Sequence, residues 1–123
     1  MAISYQDSNR YWIGAYVRII PMSQELASLI DKAAREKDTE LDLSGKGLIS
    51  LPSKIFQLSH LEWLFLDDNQ LMILPLEISR LSNLKRLGLT NNHLLALPPE
   101  ISRLSHLEEL YLSNNRLTFL APE

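Results

Sequence analysis

From Leu61 the apolar positions fall into a fixed rhythm. Leu61, Leu64, Leu66, Asn69, Leu71, Leu74, Ile78 and Leu81 are separated by two, one, two, one, two, three and two variable residues. The rhythm restarts at Leu84 and again at Leu107, each time after 23 residues. A less regular copy begins at Thr39, in TELDLSGKGLISLPSKIFQL. Leu64 and Leu66 are two apart, so they share one face of a strand, and Trp63 and Phe65 face the other way. The asparagine follows where the chain turns. Turned inward, its amide can satisfy backbone groups that the turn leaves unpaired, so Asn69, Asn92 and Asn115 are expected to stack as a ladder. The following Leu-Pro suits the first turn of a short helical return, where proline needs no amide partner. Ile78 and Leu81 then point back inward.

A period of this length is the signature of stacked coils that bury their leucines against their neighbours. With 26 leucines and three near-identical copies, residues 39–123 resemble the leucine-rich repeats, specifically the intracellular 23-residue class with an LPxxIxxL return, as in Ras-group and many bacterial repeats. The resemblance implies an α/β fold: a short right-handed solenoid with a parallel sheet on its concave side and protein binding as its occupation. Residues 30–52, IDKAAREKDTELDLSGKGLISLP, also resemble the repeat opening of bacterial Roco-type proteins, which implies a recognition or dimerisation arm of a larger signalling protein. These residues contain no GTPase motif.

Upstream of the repeats, Pro21 stops what precedes it and Ser23 is a fair N-cap. Leu26, Leu29, Ile30, Ala33 and Ala34 follow at helical spacing. Glu25 lies near the start and Lys32, Arg35 and Lys37 near the end, as the helix dipole prefers. Residues 21–38 are therefore read as a helix covering the open apolar end of the first coil. Residues 1–20 form an N-terminal extension. Within it, Tyr11–Ile20 (YWIGAYVRII) is aromatic and β-branched, hence strand-prone. It can be a strand or arm packed on the first coil, an arm docking on another chain, or a leader foreign to the fold.

Two places depart from the rhythm. Lys46 stands where the first coil should have its asparagine, and a lysine is not left unpaired inside, so it is expected to face solvent with Gly45 and Gly47 loosening the turn. The spacing around Gly45-Lys46 is not that of a phosphate-binding loop. At the other end, Ala121 replaces the proline of the earlier coils and no cap is visible. Leu110, Leu112, Leu117 and Leu120 should then present an open apolar edge. Three explanations are open: a fragment of a longer array, end-to-end pairing of two copies, or cover by Tyr11–Ile20 of a neighbour.

Aligning the copies gives outward columns. The first reads Glu40, Trp63, Arg86, Glu109, the second Asp42, Phe65, Gly88, Tyr111, and the third Ser44, Asp67, Thr90, Ser113. The fourth reads Gly45, Asp68, Asn91, Asn114. At about 4.8 Å between strands, Trp63 can stack on Arg86 and Gly88 leaves a notch between Phe65 and Tyr111. Aromatic and arginine side chains dominate interface energetics, so Trp63, Phe65, Arg86, Gly88 and Tyr111, with Asp67 and Glu109, are the candidate partner-binding residues. The opposing reading is that they pack on one another or under the N-terminal arm. The acids Glu40, Asp42, Asp67, Asp68 and Glu109 favour a partner with basic residues, although solubility also accounts for them.

Composition narrows the classes. A net charge of −3 gives no electrostatic reason to bind nucleic acid or an anionic membrane. No apolar run reaches membrane-spanning length, and no signal peptide is expected. The chain has no cysteine, so a disulfide-bonded extracellular cap is not available and a cytoplasmic location is expected. Neither a metal nor a cofactor site is expected, and catalysis finds no convergent polar set. Asp67 and Asp68 read as a solvated turn, and His60 and His106 lie about 10 Å apart by strand spacing, too far to share a metal. His93 is expected to be exposed, and Ser79, Ser82, Ser102 and Ser105 to be structural. Losing the inward amide with Asn92→Ala should cost roughly 1–3 kcal/mol, and Asn91→Ala little.

Overall fold

Each 23-residue unit spends its alternation on one three-residue strand. The computed structural model describes residues 23–118. In it β1 (Glu40–Asp42), β2 (Trp63–Phe65), β3 (Arg86–Gly88) and β4 (Glu109–Tyr111) form one parallel sheet in sequence order. Leu41, Leu64, Leu87 and Leu110 lie side by side in register, each 23 residues from the last. The outward partners are those the repeat alignment gives: Glu40, Trp63, Arg86 and Glu109 in one row, Asp42, Phe65, Gly88 and Tyr111 in the next. The readings of Tyr11–Ile20, Leu120 and Ala121 lie outside the described residues.

The core is the continuous column of leucines behind this sheet. Leu61, Leu64, Leu66, Leu71, Leu81, Leu84, Leu87, Leu89 and Leu94 are fully buried, as is Ile78. No single coil could bury them alone; each leucine is closed in by its copies above and below.

The asparagine ladder explains why the turn at the end of each strand repeats so closely. Asn69 Oδ1 accepts from Lys46 N (3.0 Å) and Leu48 N (2.9 Å), and its Nδ2 donates to Leu43 O and Leu66 O. Asn92 repeats this with Leu71 N, Leu66 O and Leu89 O, and Asn115 with Leu94 N, Leu89 O and Leu112 O. Each inward amide, buried at Asn69 and Asn92 and half-buried at Asn115, thus joins two consecutive coils through backbone groups that would otherwise be unpaired.

The residue before each ladder asparagine has its own reason to recur. Gly45, Asp68, Asn91 and Asn114 all sit at positive φ, between 58° and 66°. Glycine, asparagine and aspartate tolerate this left-handed region best. Asn114 Nδ2 donates to Asn91 Oδ1 at 2.8 Å, and Asn91 Nδ2 to Asp68 Oδ1 at 2.6 Å. The expectation that Asn91 is dispensable is corrected by this geometry: it holds a strained backbone and bridges two coils.

The returns are 3-10 segments, Ser53–Gln57, Leu76–Arg80 and Pro99–Arg103. Pro52, Pro75 and Pro98 stand one place earlier than expected, as extended caps rather than first-turn residues. Their carbonyls accept from Ile55, Ile78 and Ile101 N at 3.0–3.1 Å, which starts the turn. Five residues give room for the tighter 3-10 winding but not for a stable α-helix. The recurring serines are structural, with Ser79 Oγ donating to Leu76 O and Ser102 Oγ to Pro99 O.

The α-helix α1 (Gln24–Glu36) precedes the sheet. Ser23 caps it by accepting from Leu26 N at 3.1 Å, and it ends on Lys37 in the left-handed region. Leu26, Ile30 and Ala33 enter the leucine core, while Ala34, expected on the same face, is exposed. Lys32 pairs with Asp38 and Glu36 at 3.0 and 3.2 Å. The hydrogen bond to Asp38, then that to Glu36, holds its ammonium above its usual pKa.

Candidate functional site

The outward face of the sheet carries the side chains that alternation leaves over. On β2 and β3, Trp63 and Arg86 are register partners, and the Arg86 guanidinium lies 4.6 Å from the indole centroid. On the far side, Arg86 Nε meets Glu109 Oε1 at 3.0 Å, and the Tyr111 hydroxyl donates to the same carboxylate oxygen. Trp63, Arg86, Glu109 and Tyr111 therefore form one chain of contacts across three strands. That hydrogen bond is the chief reason the Tyr111 phenol is held above its ordinary pKa of 10.0. Tyr111 is exposed and the other three half-buried. Trp63 packs on Arg86 and Tyr111 on Glu109, and both aromatic side chains still reach solvent.

Gly88 is not an open notch. It is buried, and a Cβ built there would lie 2.8 Å from Asp67 Oδ2 and 3.1 Å from Phe65 Cδ1. Asp67 leans over the glycine so that its Oδ1 accepts from Thr90 N at 2.7 Å. Glycine here permits that close approach, and the space it leaves is filled from within the same face. Asp68 is likewise engaged, through Asn91. Glu40 and Asp42 on β1 are exposed; Asp42 Oδ1 accepts from Ser44 N.

The histidines take structural places. His60 Nε2 lies 3.2 Å from Ala33 O and His106 Nδ1 lies 3.1 Å from Ser82 O. Asn83, at the same repeat position between them, donates to Ser59 O at 2.9 Å. All three reach back to the preceding turn of chain, so this position is a side-chain tie between coils. His93 is half-buried rather than exposed. Among the described residues no group of three His, Asp or Glu is placed to hold a metal ion, and no helix is long and apolar enough to cross a membrane. A groove of about 380 Å³ between α1 and the first 3-10 segment is lined by Lys37, Lys54 and His60 among others. It lies apart from the aromatic face.

Lys46 turns outward as expected, but it is not free: its Nζ reaches Glu25 Oε2 on α1 at 3.2 Å. Leu107, Leu110, Leu112 and Leu117 in the last coil are half-buried, in contrast to their fully buried counterparts Leu84, Leu87, Leu89 and Leu94. Leu120, named with this edge from the sequence, lies outside the described residues.

A group of surface residues escaped the sequence reading. Ile49, Met72, Ile73, Leu76 and Leu95 are 44–66 % exposed and, with Tyr111, are the exposed large apolar side chains among the described residues. Ile49, Met72 and Leu95 are 23 residues apart. Reading every column of the alignment, rather than the leucine and strand columns alone, would have found them.

The geometry agrees with comparison to known proteins. The leucine-rich-repeat family model matches residues 39–94 and 82–123, and the chain belongs to the leucine-rich-repeat family. Among solved structures, a leucine-rich-repeat protein of Leptospira interrogans is similar at 36 % sequence identity, with a TM-score of 0.60 over 74 % of this chain. The match takes in 30 % of that protein, so the chain spans less than a third of its length. No curated protein matches the chain.

Proposed function

We propose that the chain is a non-catalytic interaction module that binds a protein partner on the exposed, concave face of its parallel sheet. Trp63, Phe65, Arg86, Asp67, Glu109 and Tyr111 are the contact residues, with Gly88 shaping the surface from beneath. Family membership supports protein binding, since leucine-rich-repeat domains generally mediate it. The observation that carries the site is the Trp63–Arg86–Glu109–Tyr111 chain of contacts. These side-chain types dominate interface energetics, and here they are held by one another before any partner arrives. Less rotamer freedom is then lost on docking. Glu40 and Asp42 at the β1 side favour a partner that brings basic residues. The reading needs no cofactor, nucleic acid or membrane, and a chain without cysteine suits the cytoplasm. The test is Trp63→Ala combined with Phe65→Ala, assayed by affinity capture of partners on the folded variant. Loss of the captured protein is expected; unchanged capture by a variant of unchanged stability sinks the assignment.

A second reading has its own observation, the half-buried leucines of the last coil. Leu110, Leu112 and Leu117, continued by Leu120, would join two copies edge to edge or dock further coils of a longer signalling protein. Light scattering on a size-exclusion column distinguishes it: a mass above 14.1 kDa that returns to the monomer in Leu112→Asp supports this edge, and a dimer indifferent to that change does not.

A further inference from the structure

Apart from Tyr111, the large apolar side chains exposed among the described residues gather on one flank of the solenoid, between the asparagine ladder and the 3-10 returns. Backbone bonds tie the coils in register there: Gln70 N to Leu48 O, His93 N to Leu71 O, Arg116 N to Leu94 O, and Leu95 N to Met72 O. Ile49, Met72 and Leu95 therefore form one column across three coils, with Ile73 and Leu76 beside it, all of them 44–66 % exposed. Scattered single apolar residues need no explanation, but a contiguous row of large ones marks a contact surface.

The two borders of this row differ in charge. Ahead of it in each coil runs the column Gly47, Gln70, His93 and Arg116, which contains no acid. Behind it, the second residues of the 3-10 segments are Lys54, Glu77 and Glu100. Arg116 is exposed and the two glutamates are half-buried. The ion pairs among the described residues involve none of Glu77, Glu100 and Arg116. Across its second to fourth coils the flank is thus an apolar stripe between an acidic border and a basic one.

We propose that this flank is covered by the same flank of a second copy of the chain, with the two stacks side by side and running in the same direction. A twofold axis lying in the contact and parallel to the stack keeps each coil opposite its own copy and exchanges the two borders. Glu100 then faces the border that carries His93 and, one coil further, Arg116 of the second copy. Coils are about 4.8 Å apart, a gap that a glutamate and an arginine side chain together span, and the symmetry makes this pair twice. Lys54 faces only Gly47. An axis across the stack would instead bring the acidic borders together, Glu77 against Glu100. The apolar row supplies the attraction, and the borders choose the orientation. A surface that carries its own complement in this way fits a second copy. The contact uses neither the outward face of the sheet nor Leu110, Leu112 and Leu117, so it is independent of both functional readings above.

Light scattering on a size-exclusion column, over a concentration series of the full chain, tests it. The mass should approach twice 14.1 kDa as concentration rises. Ile73→Glu, and Leu76→Glu as a second variant, should each return the monomer mass at unchanged far-UV circular dichroism. Leu112→Asp should leave the dimer intact. Arg116→Glu and Glu100→Arg each set like charges across the contact, and each should weaken the dimer about tenfold. Mixing these two single variants sets opposite charges across it again, so the mixture should dimerise more tightly than either variant alone. A monomer at every concentration overturns the proposal. So does a dimer indifferent to both flank variants, or one that Leu112→Asp abolishes. Charge reversals that have no effect, or that the mixture does not repair, overturn it as well.

Discussion

Leu87 and Leu110 occupy the same place in consecutive repeats, and their surroundings differ. Leu87 is closed in by Leu64 on one side and Leu110 on the other, and is fully buried. Leu110 has Leu87 on one side and is half-buried. The same contrast holds for Leu84 with Leu107, Leu89 with Leu112 and Leu94 with Leu117. In a stack, the repeat sets which way a side chain points, and the neighbouring coil sets whether it leaves water.

The largest effect expected from this contrast is in the core. Leu87→Ala should cost roughly 2–5 kcal/mol, as truncation of a fully buried leucine does. Leu110→Ala should cost about half of that or less, because part of its surface is already hydrated. Urea titration of both variants measures the difference. Equal costs would mean that the last coil is covered in solution, which would strengthen the edge-to-edge reading over that of a free end.

The ladder offers the same comparison with a polar group. Asn92 serves a buried turn, so Asn92→Ala should cost roughly 1–3 kcal/mol for the orphaned amide and carbonyls. Asn115 makes the corresponding bonds in a half-buried setting. Water can replace part of what its side chain does, and Asn115→Ala should fall at or below the lower end of that range. Amide exchange supplies a local check: the Leu71 N–H should lose protection in Asn92→Ala, and the Leu94 N–H in Asn115→Ala.

These pairs also show what was legible in the sequence. The 23-residue rhythm located all four strands and their register, since alternation and period are both written in which positions are leucine. It located the inward asparagines for the same reason. It did not distinguish a 3-10 return from an α-helical one, because five residues carry too little periodicity. Gly88 looked like a gap, since a sequence shows a missing side chain but not the Asp67 carboxylate that leans into the space. The exposed row from Ile49 to Leu95 was passed over because residues at variable positions were treated as free. Asn91 was misjudged for a related reason. Facing outward was equated with having no role, whereas its role is conformational.

That misjudgement yields a smaller, sharper test. Asn91 sits at φ 59°, where alanine costs about 1 kcal/mol and glycine costs little. Asn91→Ala should therefore destabilise by about that amount and Asn91→Gly by less. In Asn92 the order is set by the lost amide rather than by backbone freedom, so alanine and glycine should both be costly there. Nearly equal costs for the two variants, both well above that amount, would show that the side-chain bridge between Asp68 and Asn114, which both remove, outweighs the backbone.

The smallest effect concerns the outward face of the last coil, which keeps its contacts with β3 although its leucines have lost half their cover. Tyr111 donates to Glu109, which also holds Arg86, and the bond to Glu109 raises the phenol's pKa above 10.0. Protonated, the phenol can donate; ionised, it faces the carboxylate as a like charge. The contribution of this bond to stability is therefore complete below the phenol's ordinary value. It is lost as pH rises through the raised value in the folded protein. Because Tyr111 lies on the surface, solvent screens the effect and its size should be slight. Ultraviolet titration of the chain minus that of Tyr111→Phe isolates this one of four tyrosines. The difference curve should have its midpoint above 10.0 and move down in Glu109→Gln, which removes the charge that disfavours ionisation. A midpoint at the ordinary value in both proteins would mean that Tyr111 is not held by Glu109 in solution. The last coil would then lose its outward order along with its burial, and only Trp63, Phe65 and Arg86 would remain as a preformed surface.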